Sequence, residues 1–161
     1  MYICLGLISK DSTGFLWIGT DFGIDRFDGS HFKHYRKKEY PSLHRDDIYH
    51  VKHIGHDRIV FGSFSGMFQE YDRKKDMFLE LMPDEMETLG YSQMKGTCVS
   101  PSGDCYVFSN EHVFKYDVQR GCFNSRFAAY DSIHSPFITS LYVDSNNRYW
   151  LGSLNQLTDR K

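Results

Sequence analysis

The stretch DSTGFLWIGTDFGIDRFDG, Asp11–Gly29, alternates polar turns with short apolar segments. A polar turn at Asp11–Gly14 leads into the apolar run Phe15–Ile18, and Gly23–Phe27 follows after a short second turn. The pair Asp28-Gly29 then predicts a tight hairpin, because glycine accepts a positive φ without a Cβ clash. The stretch therefore predicts successive antiparallel strands joined by turns.

The same order of strands and turns recurs three times downstream. Aligning Gly19, Gly62, Phe108 and Gly152 gives spacings of 43, 46 and 44 residues. A period of roughly 40–50 residues with four short strands per unit is typical of a β-propeller. We therefore predict an all-β fold, a partial β-propeller of about three and a half four-stranded antiparallel blades.

The predicted blades occupy approximately 2–36, 47–82, 94–128 and 137–161, within one truncated propeller domain over 1–161. The last blade is predicted to be incomplete, because the sequence stops at Lys161 before a third strand could be finished. Runs such as Phe15–Ile18 do not alternate between apolar and polar residues, which favours strands covered on both faces. The residues assigned to the repeat framework are Gly14, Trp17, Gly19, Gly23, Arg26, Asp28, Gly29, Gly62, Gly66, Trp150 and Gly152.

Composition and charge argue against several classes of partner and location for this protein. The formal net charge of the 161 residues is -2, so the chain has no electrostatic footprint for nucleic acid or an anionic membrane. It contains no apolar run of about 18 residues that could span a bilayer, and its first residues do not resemble a signal peptide. We expect either a cytoplasmic chain or a sequence whose true beginning is missing.

The histidines and cysteines that could suggest a metal site are interpreted as structural residues. His50 and His53 would point to opposite faces of a strand, so a zinc site including His56 is disfavoured. The four cysteines form no CxxC pair and are interpreted as small buried thiols, with a Cys98–Cys105 bridge as the minor alternative. No hydrolase elbow, phosphate loop, kinase or receiver motif occurs. The sequence predicts no metal, no cofactor and no catalytic residue.

The first unit resembles the two-component regulator propeller repeat. That family's pattern is matched by the turn Asp11–Gly14, by Leu16-Trp17-Ile18-Gly19-Thr20, and by the later residues Gly23-Ile24, Arg26-Phe27 and Asp28-Gly29. The fourth unit keeps Asp144 and Trp150-Leu151-Gly152-Ser153, whereas the second and third units match more loosely. The resemblance therefore extends over almost the whole chain.

The resemblance implies a role in signalling. Such repeats build the periplasmic sensor region of Bacteroidetes-type hybrid two-component systems, which detect breakdown products of carbohydrates. It implies a non-catalytic, extracytoplasmic module that senses an oligosaccharide and has the remaining propeller blades and kinase domains as partners. The alternatives are a propeller enzyme resembling the streptogramin-type lyases and a scaffold that binds proteins, since the fold alone does not decide function. An open set of blades would also expose apolar faces and favour self-association.

The ligand is expected at the loops that join the second and third strands of each blade, because propeller loops gather at one face and function resides mostly in loops. Trp17 and Trp150 are instead assigned to core packing, since both lie within apolar runs. The aspartates Asp11, Asp28, Asp72, Asp117 and Asp144 are interpreted as turn residues. The candidate ligand-binding residues are Asp21, Phe22, Phe64, Asn110, Glu111, His112 and Asn155.

Overall fold

The structure is a computed structural model that describes residues 5–54, 58–63, 67–81, 94–109, 112–117, 119–124, 137–154 and 157–160. Within these ranges every helix-or-strand element is a β-strand. The strands are β1 Leu5–Lys10, β2 Leu16–Thr20, β3 Gly23–Phe27, β4 Phe32–Tyr35, β5 Ile48–Ile54, β6 Arg58–Ser63, β7 Phe68–Asp72, β8 Met77–Glu80, β9 Met94–Val99, β10 Cys105–Ser109, β11 Val113–Asp117, β12 Cys122–Asn124, β13 Ile138–Val143, β14 Tyr149–Ser153 and β15 Leu157–Arg160.

The strands form four sheets in which each strand pairs with its neighbour along the chain. Three sheets have four strands, in the orders β1-β2-β3-β4, β5-β6-β7-β8 and β9-β10-β11-β12, and the fourth has the order β13-β14-β15. Every pairing in the described residues is antiparallel. The predicted all-β fold built of antiparallel blades is confirmed, and each sheet lies inside one of the four predicted ranges.

The fourth sheet extends beyond its prediction. Leu157–Arg160 forms β15 and pairs with β14 from Tyr149↔Arg160 to Gly152↔Leu157. The prediction that the fourth unit stops before finishing a third strand was therefore wrong. In the first unit a glycine, Gly23, opens the third strand, whereas the fourth unit has no glycine at the start of β15. The strand was not predicted for that reason.

The chain divides into two compact units, Met1–Leu81 and Met82–Lys161, each holding two sheets. In the first unit β5 packs against β1 and β2. Gly19 permits this approach, because an added Cβ would lie 2.8 Å from both Cγ2 and the carbonyl oxygen of Ile48. In the second unit β13 packs against β9 and β10. A single domain over 1–161 stays a prediction.

Aromatic rings fill the space between the two sheets of the first unit. Trp17 and Tyr35 come from the first sheet, and Phe61, Tyr71 and Phe78 come from the second. The Trp17 ring lies 5.5 Å from Phe61 and 5.1 Å from Tyr71, between centroids. Burying such rings provides much of the hydrophobic stabilisation available to a small domain. The assignment of Trp17 to core packing agrees with its complete burial.

The strand β6 is covered on both of its faces, whereas β2 is covered on only one. Ile59, Val60 and Phe61 are all buried, as their continuous apolar run predicts. In β2, Trp17 is buried against the second sheet, whereas the side chains on either side of it, Leu16 and Ile18, are only half-buried. The first sheet therefore has one packed face and one face that remains accessible.

The second unit has a smaller core of Cys98, Tyr106, Phe108, Val113, Ile138, Val143 and Leu151. The hydroxyl groups of Tyr106 and Tyr149 lie 3.1 Å apart and join the third sheet to the fourth. Cys98 and Cys105 are buried and Cys122 is half-buried, and none of the three forms a disulfide, so the Cys98–Cys105 bridge does not form. Among the described residues, no helix is long and apolar enough to cross a membrane.

Candidate functional site

The turn between β2 and β3 presents Phe22. The Thr20 hydroxyl donates to the carbonyl oxygen of Gly23 at 2.9 Å and accepts the N–H of Phe22 at 3.1 Å. The hydroxyl thus replaces water as the partner of this turn's backbone groups. The turn leaves Asp21 half-buried and exposes 50% of Phe22. Of the predicted ligand-binding residues, these two share one turn.

The equivalent turns use the same construction. The N–H of Met67 donates to Ser63 Oγ at 3.2 Å, and the N–H of His112 donates to Ser109 Oγ at 3.0 Å. The sequence carries a signal for this construction that was not used, namely a Thr or Ser at the end of the second strand in every unit: Thr20, Ser63, Ser109 and Ser153. The hydroxyl groups of Thr20, Ser63 and Ser109 hold turns, so we do not assign them to chemistry.

His112 lies on its own turn in the second unit. Its ring stacks against Phe114 with the centroids 6.0 Å apart. The neighbouring Glu111 lies outside the described residues. So do Phe64, Asn110 and Asn155 among the predicted ligand-binding residues, and Gly66 of the repeat framework. The assignment of all these loop residues to a ligand stays a prediction.

A charged cluster that the sequence did not predict lies beside the turn of Phe22. Arg36 donates through Nη1 to the carbonyl oxygen of Ile24 at 2.9 Å, and its Nη2 lies 2.6 Å from Asp25 Oδ1. His34 Nδ1 lies 2.8 Å from the same carboxylate oxygen. Gly23 brings the turn to this cluster, because an added Cβ would meet the carbonyl oxygen of Tyr35 at 2.3 Å and Arg36 Cδ at 3.1 Å.

We define the first-turn site as Phe22, Asp25, His34 and Arg36. It combines an exposed aromatic ring with a carboxylate, an imidazole and a guanidinium, of which His34 is the most accessible of the three polar groups. Rings offer an apolar face to a ligand, while convergent polar groups fix its orientation. This arrangement suits recognition of a polar, partly apolar molecule.

A second polar arrangement connects the two sheets of the first unit. Asp11 Oδ2 accepts the Trp17 indole N–H at 2.6 Å and the Arg73 guanidinium at 2.6 Å. Its Oδ1 accepts the backbone N–H groups of Thr13 and Phe15. Burial is the largest single influence on the pKa of Asp11, and it raises that pKa. The contacts with Trp17, Thr13 and Arg73 together outweigh burial, so the pKa of Asp11 lies below its usual value. Asp11 is therefore both the turn residue that was predicted and the link between two sheets.

The fourth sheet repeats half of this arrangement. Asp144 Oδ1 accepts the N–H groups of Asn146 and Arg148, and Oδ2 accepts the Trp150 indole N–H at 3.2 Å. The guanidinium here comes from Arg148 of the same turn, whose Nε lies 2.6 Å from Oδ2. The backbone N–H of Arg148 is the main cause that lowers the pKa of Asp144, assisted by the guanidinium and the indole.

The remaining turn aspartates behave as the sequence predicted. Asp28, Asp72 and Asp117 each accept backbone N–H groups two and three residues ahead. At Asp28 the N–H groups of His31 and Ser30 lower the pKa to about 2. Glycine at 29 adopts a φ of 105°, as the Asp-Gly turn requires.

The histidines of β5 do not form a metal centre with other described residues. His50 pairs across the sheet with Gly62 and His53 with Ile59, so their side chains leave opposite faces of the strand. The N–H of His53 donates to Ser9 Oγ at 2.9 Å. No group of three or more His, Cys, Asp or Glu residues in the described part of the chain could hold a metal ion. His56 lies outside it.

The sheets and their turns define a β-propeller, and comparison with known proteins agrees. Residues 132–155 match the model of the two component regulator propeller family. Over these residues the chain is therefore similar to a repeat of that family, and the resemblance is confirmed. The matched stretch belongs to the fourth unit, whereas the resemblance was argued mainly from the first. No curated protein is similar enough in sequence to count as a relative.

Solved structures similar to the chain are propellers of several kinds. The extracellular domain named for a hybrid two-component system of B. thetaiotaomicron matches with a TM-score of 0.74 and 16% identity, over 92% of this chain and 20% of that one. Virginiamycin B lyase from Staphylococcus aureus matches with a TM-score of 0.67 and 11% identity, over 98% of this chain and 55% of the lyase. YCF48 bound to a D1 peptide matches with a TM-score of 0.70 and 11% identity, over 99% of this chain and 49% of YCF48. The chain thus spans one fifth to about half of these proteins, and the likeness concerns their fold.

Proposed function

We propose that this chain is a non-catalytic, extracytoplasmic ligand-binding part of a two-component signalling protein. The observation that carries the proposal is the two component regulator propeller match over residues 132–155. The likeness to an extracellular domain named for a hybrid two-component system supports it at the level of fold. The whole signalling protein would contribute further propeller blades and the kinase.

We propose an oligosaccharide as the ligand and the first-turn site as one of the places that contact it. Phe22 provides an exposed ring for the apolar face of a sugar. Arg36 and Asp25 provide a donor and an acceptor whose positions are already fixed by their 2.6 Å ion pair. Preorganised polar groups bind with a smaller entropic cost than groups that must be ordered by the ligand.

Titration calorimetry of the chain against neutral and acidic oligosaccharides tests the proposal. We expect at least one binder, and we expect the Phe22→Ala and Arg36→Ala variants to weaken it about tenfold or more. Tyr142→Ala is the control, since Tyr142 is an exposed aromatic residue of the other unit.

Three results would overturn parts of the proposal. Binding of peptides in place of sugars across the panel would reject the oligosaccharide and favour a protein-binding scaffold. Equal loss of affinity in Phe22→Ala and Tyr142→Ala would reject the first-turn site. Conversion of the bound compound over time, detected by mass spectrometry, would reject the non-catalytic role and favour a lyase-type propeller.

A further inference from the structure

The side chain of Arg36 supports the β2–β3 turn, which presents Phe22. Its Nη1 donates to the carbonyl oxygens of Ile24 and Tyr35, at 2.9 and 3.1 Å. A Cβ added at Gly23 would lie 3.1 Å from Arg36 Cδ and 3.2 Å from Nη1, so the side chain lies directly against the turn. Only 27% of the Arg36 side chain is exposed. Arg36 therefore holds the turn through hydrogen bonds to backbone groups.

The main chain of Arg36 begins the connection to the second sheet. We call residues 37–47, between Arg36 and β5, the linker. The carbonyl oxygen of Arg36 accepts the N–H of Tyr40 at 2.7 Å. The N–H of Lys37 donates to Asp46 Oδ1 at 2.8 Å, which joins the two ends of the linker. Arg36 thus contacts the turn with its side chain and the linker with its backbone.

Gln69 of β7 anchors the linker on the second sheet. Its side chain is 4% exposed, and its Oε1 accepts the N–H of His44 at 2.9 Å while Nε2 donates to the carbonyl oxygen of Ser42 at 2.7 Å. The Ser42 hydroxyl accepts the N–H of Phe78 in β8 at 3.1 Å. Between these two contacts Leu43 is completely buried in the core of the first unit. Because a buried amide without partners is costly, the anchor holds the linker in one arrangement.

We propose that Arg36 is a positioning residue that couples the β2–β3 turn to the second sheet through the linker. It joins two hydrogen-bonded systems, the turn on one side and the linker with its Gln69 anchor on the other. Loosening one system removes support from the other, and thermodynamic linkage makes this effect act in both directions. For a ligand at the turn, a step that rests on the proposed function, the linker is a route to the second sheet in addition to the aromatic contact between the sheets.

Amide hydrogen exchange of the ligand-free chain, resolved by residue with NMR, tests the coupling. Arg36→Ala should speed exchange of the Phe22 amide, which the Thr20 hydroxyl holds in the turn. It should also speed exchange of the His44 amide at least about tenfold, because the guanidinium that fixes the start of the linker is gone. The acceptor of the His44 amide, on Gln69, is unchanged in this variant, so the effect on His44 reports the coupling.

The reverse substitution, Gln69→Ala, removes the anchor and leaves the hydrogen-bonding groups of Arg36 in place. The Phe22 amide should nevertheless exchange at least about fivefold faster than in the wild type, since the coupling is reciprocal. The Ser30 amide is held by Asp28 in the β3–β4 turn, at the opposite end of the same sheet. It should keep its wild-type rate, which separates the coupling from a general loss of stability.

Lys38→Ala is the matched control for Arg36→Ala. Lys38 is a cation two residues further along the chain, but it is exposed. Its removal should leave the Phe22 and His44 amides unchanged. If circular dichroism indicates that Arg36→Ala is unfolded, Arg36→Gln replaces it, because the glutamine amide keeps a donor for a carbonyl oxygen.

Any of three outcomes contradicts the coupling. The first is a faster Phe22 amide with an unchanged His44 amide in Arg36→Ala, which would mean that Arg36 serves the turn alone. The second is an unchanged Phe22 amide in Gln69→Ala. The third is an equal acceleration of the Phe22, His44 and Ser30 amides, which would indicate general destabilisation. These measurements use no sugar, so a calorimetric panel without a binder would reject the proposed ligand and leave the coupling supported by the amide rates.

Calorimetry of Gln69→Ala tests the step from ligand to linker. The oligosaccharide that binds the wild type should bind this variant about fivefold more weakly, although Gln69 is buried under the linker and lies outside the first-turn site. Lys38→Ala should bind it with wild-type affinity. Wild-type affinity in Gln69→Ala, with the amide coupling present, would overturn the transmission of binding through the linker.

Discussion

Asp11 joins a turn to an inter-sheet contact in the first unit, because its carboxylate accepts hydrogen bonds from both. Its side chain is fully buried, and Arg73 is 28% exposed. Replacing Asp11 with Ala removes the turn bonds and leaves the Trp17 indole N–H without its acceptor. It also takes the carboxylate from the Arg73 guanidinium, which keeps only its hydrogen bond to the Thr13 hydroxyl among its bonds to this turn. We expect the free energy of unfolding to fall by about 2–4 kcal/mol, measured by urea denaturation.

Asp144→Ala is the internal control for that prediction. Asp144 makes the same turn bonds and holds an indole, but its guanidinium partner comes from its own turn. In the part of the chain that the structure describes, no second sheet is attached through Asp144, so its removal should cost less than the removal of Asp11. An equal loss in both variants would mean that the turn alone, and not the Arg73 contact, carries the stabilisation.

Asp76 makes the first unit sensitive to acid. The Tyr71 hydroxyl donates to its carboxylate, and Lys33 Nζ lies 3.0 Å away, so its pKa is lowered although burial opposes the shift. A lowered pKa contributes stability that is present above the unfolded-state value of 3.8 and is lost as the pH falls toward the folded-state value.

The Asp76→Asn variant should therefore lose less stability than the wild type between about pH 5 and about pH 2. We expect a difference of about 1 kcal/mol at most near neutral pH, because the Asp76 side chain is 48% exposed and solvent screens the charge. Asparagine also tolerates the φ of 49° at this position. Parallel pH profiles for the two proteins, recorded by urea unfolding, would contradict the assignment.

At the scale of strands, the approach of β2 to β5 depends on the absence of a side chain at residue 19. Gly19→Ala would place a Cβ 2.8 Å from Ile48 Cγ2 and its carbonyl oxygen, and backbone cannot yield as a flexible side chain can. We expect a loss of about 1–3 kcal/mol in thermal or urea unfolding, as for other overpacked cores.

The Gly14→Ala variant measures the cost of an unfavourable backbone conformation without the steric clash expected at residue 19. Gly14 has a φ of 97°, and an added Cβ would meet no atom within 4 Å, so its cost reflects the backbone alone. If Gly19→Ala proved as stable as the wild type, the two sheets would have room to shift apart, and the close approach would not be required.

The sequence predicted the strands well because strand order and turns depend on local chemistry. Glycines, Asx turns and apolar runs recur with the period of the blade, so the sheets followed from Asp11–Gly29 and its copies. The Arg36 cluster was not predicted, because it joins residues of β3, β4 and the following linker through geometry that no local pattern records. The same holds for Arg73, which is 62 residues from Asp11. The third strand of the fourth unit was missed because its opening glycine is absent.

At the scale of the whole molecule, exposed apolar faces connect stability to concentration. The predicted self-association of the chain through such faces would stabilise the folded state by mass action, so the midpoint of thermal unfolding should rise with protein concentration. For a dimer, each tenfold rise in concentration is worth about 1.4 kcal/mol per dimer, which is about 0.7 kcal/mol per chain or roughly 1.5–3 °C for a chain of this size. Phe32→Glu places a charge on the accessible face of the first sheet and should weaken this dependence, whereas Phe22→Glu changes only the β2–β3 turn and should preserve it. A wild-type midpoint that does not change with concentration in differential scanning calorimetry would indicate that the unfolding molecule is a monomer.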